Sequence, residues 1–149
     1  MNNQFHISEA TPTLDTSAYA SGDRVGSLMT LTGVGEAGAG CVLDKVVIVD
    51  SAKQSSALKI FLFNAAPTLV GADNAAADIS DADMTDKCIG VVNVATGDYH
   101  ALNANSVADT TYDKAIKSPG ATVYALIVSA GSPTYAATSL RLKFFFSWE

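Results

Sequence analysis

Residues 44–64, DKVVIVDSAKQSSALKIFLFN, limit the fold more than any other part of the chain. Val46, Val47, Ile48 and Val49 form a β-branched run with no polar face at helical spacing. Branching at Cβ restricts χ1 and suits a pleated strand better than a helix. Residues 58–63 are apolar at both parities except at Lys59. A strand apolar on both sides is covered on both faces, which places it inside a sheet or sandwich. The polar residues 51–56 are too few to form an element. The two runs are therefore expected to pair as an antiparallel hairpin across a loop of about six residues.

The same patterns recur along the chain. Residues 25–31, 88–94, 99–102 and 122–128 read as strands, and so do residues 139–148. In the last of these, Leu140, Leu142, Phe144 and Phe146 share one face, and Arg141, Lys143 and Phe145 the other. Turn chemistry separates the strands at Ser21-Gly22-Asp23, Thr96-Gly97-Asp98 and Ser118-Pro119-Gly120, and Pro67 ends the 58–63 strand. Ser80, followed by Asp81 and Asp83, has the form of an N-cap with acids in the first helical turn. Residues 103–117 are polar and mixed, with Val107, Tyr112 and Ile116 as apolar anchors and no assigned element. A parallel α/β sheet would need a helix of about 10–15 residues between strands, and none is readable. The expectation is an all-β, antiparallel β-sandwich with long loops and one short helix, a pattern that a jelly-roll-like fold is one way to meet. Residues 1–13 are expected to form an extended arm, and residues 14–149 a single domain.

Composition excludes several partners. The chain is 149 residues long and 48% hydrophobic, enough for one proper core, and its 16% charged content argues against disorder. The net charge is -6, and the nine Lys and Arg form no dense cluster, so nucleic acid is not an expected partner. The first thirteen residues lack the basic and apolar regions of a secretory signal. No apolar run approaches the ~20 residues of a membrane-spanning helix, so no membrane partner is expected. Cys41 and Cys88 are isolated, and their pairing is left open.

Candidate chemistry is sparse. Gly33, Gly35 and Gly38 match a dinucleotide fingerprint in spacing, but the chain continues into Cys41-Val42-Leu43 as a strand, where the fingerprint needs a helix. That segment reads as a loop. Asp73, Asp78, Asp81, Asp83 and Asp86 are oxygen donors suited to calcium, yet they lack the glycine and terminal glutamate of a known binding loop. His6 and His100, with two cysteines, show no zinc-ligand spacing. No nucleophile elbow or cysteine nucleophile motif is present. No catalytic residue, metal or cofactor is expected, and the chain is not expected to be an enzyme. Phe61, Phe63, Phe144 and Phe146 read as core. Phe145 and Trp148, on opposite faces of the last strand, are candidates for a partner contact, as are Phe5 and Ile7, which share one parity in the arm.

Four stretches together resemble small virion proteins of tailed bacteriophages. They are LDTSAYASGDRVG (14–26), DSAKQSSALKIFLFNAAPT (50–68), IGVVNVATGDY (89–99) and SPTYAATSLRLKF (132–144). The resemblance covers nearly the whole chain in order. It implies a structural protein similar to capsid decoration (cement) proteins, which are β-rich and often trimeric. The implied partners are the major capsid protein and further copies of the chain as a homotrimer. The implied location is the capsid surface of the virion, after synthesis in the host cytoplasm. No binding-site residue carries over, because these stretches are strands and turns. A reading of a different class is a receptor- or glycan-binding module of a fibre or spike, with Tyr99, Tyr112 and Tyr135 in or beside loops as its aromatic platform.

Overall fold

The computed structural model describes residues 3–36, 38–117 and 120–149. Its strands are β1 (Gln4–Ala10), β2 (Arg24–Thr32), β3 (Gly40–Asp50), β4 (Leu58–Phe63), β5 (Cys88–Val94), β6 (Tyr99–Ala101), β7 (Ser106–Lys117), β8 (Thr122–Ser129) and β9 (Leu140–Trp148). One short helix, α1 (Asp81–Lys87), precedes β5. The strands form a five-stranded sheet in the order β1-β9-β3-β7-β6 and a four-stranded sheet in the order β2-β8-β4-β5, and every strand pairing is antiparallel. Setting aside the three-residue β6, this is the double Greek key order of a jelly roll.

Period-two alternation builds the core. β3 turns Leu43, Val46 and Ile48 inward, and β9 turns Leu140, Leu142, Phe144 and Phe146 inward. They meet Leu31 of β2, Ile60 and Leu62 of β4, and Val123, Ala125 and Ile127 of β8 in one cluster. All of these side chains are withdrawn from water, and burial of apolar area at about 25 cal/mol per Å² is the main favourable term.

The expected hairpin between β3 and β4 does not form. β3 lies between β9 and β7, whereas β4 lies between β8 and β5 in the other sheet. The connection explains the difference. Asp50 is fully buried, and its carboxylate accepts the N–H groups of Ala52 at 3.0 Å and Ser55 at 2.8 Å. Lys53 and Ser55 adopt left-handed backbone angles. This knot of local bonds turns the chain across the sandwich. Each apolar strand then gains two ladder neighbours from distant sequence. The outer sides of Val47 and Val49 are only half-buried, so β3 is fully covered on its inner face alone.

Residues 103–117, left without an element in the sequence reading, contain the twelve-residue strand β7. Ser106, Ala108 and Ile116 face inward, while Asp109, Thr111 and Asp113 are exposed. Asp113 has a left-handed backbone, φ 50°, beside a register shift opposite Leu43 and Lys45. That bulge breaks the alternation on which a sequence reading depends.

The helix matches its expectation. Ser80 Oγ accepts the N–H of Asp83 at 3.2 Å, and Lys87 pairs with Asp83 at 2.7 Å one turn along. The turn expected at residues 118–120 has Ser118 and Pro119 outside the described residues, as are Met1 and Asn2 of the expected arm. Within that arm, β1 runs extended along the chain's own five-stranded sheet, paired with β9 from Gln4–Trp148 to Ala10–Leu142.

Candidate interface on the five-stranded sheet

With one parity of each strand committed to the core, the other parity forms the outer face of the five-stranded sheet. The ladder register sets its rows. Ile7 lies opposite Phe145, Phe145 opposite Lys45, and Lys45 opposite Thr111. In the adjacent row Glu9 lies opposite Lys143, Lys143 opposite Val47, and Val47 opposite Asp109. Phe5 is 60% exposed and Ile7 40%. The Phe5 and Phe145 rings meet with centroids 6.0 Å apart, and Lys45 Nζ stands 5.1 Å from the Phe145 centroid. Lys45 also reaches Asp109 at 3.1 Å, and Lys143 reaches Glu9 at 3.5 Å.

These contacts order the face more than they hold the fold. Exposed ion pairs contribute about 0–1 kcal/mol each, and an exposed cation–π contact about 0.5–1 kcal/mol. Water still covers most of Phe5. The result is a strip of aromatic and aliphatic side chains flanked by paired charges. Such a surface suits a contact with another macromolecule.

Three of the four residues singled out in the sequence come together here: Phe5, Ile7 and Phe145. Trp148 does not join them. It has the opposite parity, packs partly buried against the core, and lines a recess of about 350 Å³ with Cys41 and Val42. The sequence reading also missed Lys45 and Val47, which belong to the face. Their signal was present as the parity of Lys45, Val47 and Val49, but the continuous β-branched run concealed it.

The other candidates are structural or dispersed. Asp73 Oδ1 accepts from the Tyr19 hydroxyl and from Gly26 N–H, and Asp73 Oδ2 accepts from Asp15 N–H, so its carboxylate is consumed in tying loops together. Asp83 is engaged by Lys87, the N–H of Thr68 and the helix cap. Among the described residues, no group of three or more His, Cys, Asp or Glu side chains could hold a metal ion. Cys41 and Cys88 are both free thiols, on strands of different sheets. His6 lies in β1 with Nε2 3.0 Å from the Thr32 carbonyl oxygen, and His100 lies in β6.

The tyrosine platform is not assembled. Tyr135 is 2% exposed and the Tyr99 hydroxyl is buried; burial pushes both phenols up from their ordinary pKa. Tyr112 is half-buried beneath Lys114 Nζ, 5.1 Å from its ring. Phe61, expected in the core, is half-buried on the outer side of the four-stranded sheet. There it lines a groove of about 320 Å³ with Met84 and Leu126.

No protein-family model matches the chain, and no curated protein does. Among solved structures, it is similar to the VP2 subviral particle of infectious bursal disease virus, with 12% identity and a TM-score of 0.43 over 97% of this chain and 32% of that one. It is also similar to Desmodium yellow mottle tymovirus, with 9% identity and a TM-score of 0.28 over 99% of this chain and 87% of that one. The chain thus spans about a third of the VP2 chain that it matches.

Proposed function

We propose that the chain is a structural virion protein, a capsid decoration (cement) protein of a tailed bacteriophage. It binds the outside of the head, contacts the major capsid protein and further copies of itself, and has no catalytic activity. The resemblance of its sequence to phage virion proteins supports this reading. The observation that carries it is the outer face of the five-stranded sheet. Phe5, Ile7 and Phe145 form an apolar strip that the domain's own core does not use. Jelly rolls serve several functions, so the fold alone does not decide.

The mechanism is mechanical. A rigid sandwich laid across neighbouring subunits adds buried interface, and opening the shell must then break that interface as well. A lasting contact buries upward of about 1,000 Å² in total. The test is reconstitution: heads depleted of the protein are mixed with the purified chain, then heated or osmotically shocked. The expected result is saturable binding and more surviving heads. Heads that neither bind the chain nor gain resistance overturn the proposal.

A further inference from the structure

Resting on the reading of the outer sheet face as an interface, we infer that its occupant is a second copy of this chain. Charge is the first argument. The chain carries a net charge of -6, so two copies repel across most approaches. On this face Lys45, Arg141 and Lys143 stand against Glu9, Asp44, Asp109 and Asp113, which leaves it close to neutral beside a chain of net charge -6. Lys45 is bonded to Asp109, Lys143 to Glu9, and Asp44 accepts from Ser147 Oγ at 3.0 Å. Here two negatively charged molecules meet through faces whose charges are largely paired within each copy, rather than through surfaces that carry most of the net charge of -6. The groove over the four-stranded sheet differs, because Asp78 stands at its lining and meets a second acidic copy unfavourably.

Area is the second argument. Strands β1, β9, β3 and β7 lie about 4.8 Å apart, and four outward residues per strand extend about 20–25 Å, so the face covers about 400–500 Å² in projection. Two such faces bury together about 800–1,000 Å², which reaches the threshold for a lasting contact at its upper end. Sheets pack face to face about 10 Å apart through interdigitating side chains. Phe5, Ile7, Val47 and Phe145 supply those side chains.

The test uses the purified full chain with no phage present, by analytical ultracentrifugation across a concentration series. Phe145→Asp and Phe5→Asp are run beside the wild type, and thermal melts establish that they are folded. Phe5 is so exposed that its replacement leaves the core intact. The expected result is a concentration-dependent oligomer whose dissociation constant rises at least tenfold in either variant. A wild type that stays monomeric overturns the inference, and so does an oligomer that both folded variants leave unchanged. If the wild type is monomeric but Phe5→Asp abolishes attachment to heads, the occupant is the capsid; the inference fails, and self-association with it, while attachment to the head stands. An oligomer sensitive to both variants that never attaches to heads supports the inference and defeats the proposed function.

Discussion

The Tyr19 hydroxyl donates to Asp73 Oδ1 at 2.9 Å and accepts the backbone N–H of Asp15 at 2.8 Å. This pair joins the segment before β2 to the segment between β4 and α1. Asp73 extends the junction by accepting the N–H of Gly26 at 2.7 Å, where the backbone is left-handed at φ 75°. The Tyr135 ring lies 6.0 Å from that of Tyr19, yet its buried hydroxyl has no hydrogen-bond partner among the described residues.

Two neighbouring tyrosines are thus expected to respond differently to loss of one oxygen. Tyr19→Phe takes one donor from the partly buried Asp73 carboxylate and costs about 1 kcal/mol. Tyr135→Phe removes a hydroxyl that no protein group satisfies, so stability stays level or rises. Urea unfolding of both variants checks the pair, and equal losses would contradict it.

Acid is expected to loosen the loops before it reaches the core. Lys87 and the N–H of Thr68 hold the Asp83 carboxyl below its usual range, and the N–H of Ser17 and the Asn74 amide do the same for Asp15. A depressed folded-state pKa contributes stability that is fully present above the unfolded value, near 3.9, and is lost as pH falls through the folded value. The melting temperature should therefore carry the full contribution of these groups, unchanged between about pH 5 and 7, and should decline below about pH 4. Asp83→Asn should flatten that decline, and an unchanged acid limb would contradict the assignment.

Deleting residues 1–10 removes β1. Only Ser8 of that strand is buried, so the sandwich is expected to remain folded. The lost ladder should lower stability by about 2–4 kcal/mol, short of the 5–15 kcal/mol that holds a typical domain. Self-association and attachment to heads should weaken, because Phe5 and Ile7 leave with the strand. Circular dichroism melts and head-binding assays check both parts. A truncated chain that fails to fold would show that the sandwich cannot form without the β1 ladder.

What was legible in the sequence was local. Cys88–Val94, the Ser80 cap and the inward parity of Leu140, Leu142, Phe144 and Phe146 each follow from neighbouring residues alone. Pairing was not legible, because a jelly roll joins strands far apart in the chain. Proximity suggested β4 as the partner of β3, but its ladders run to β7 and β9. β7 was hidden by a polar outer face and the Asp113 bulge. For the interface, parity placed Phe5 and Ile7 together. It did not show that Trp148 would turn inward, since alternation separates two faces without saying which one is covered.

The most direct test of the central claim is the copy number of this chain in purified phage particles, measured by quantitative mass spectrometry against the major capsid protein. The expected number is comparable with that of the capsid subunits, with density for the sandwich on the outside of the head by electron microscopy. Absence from particles, or a few copies confined to the tail or its fibres, would contradict it.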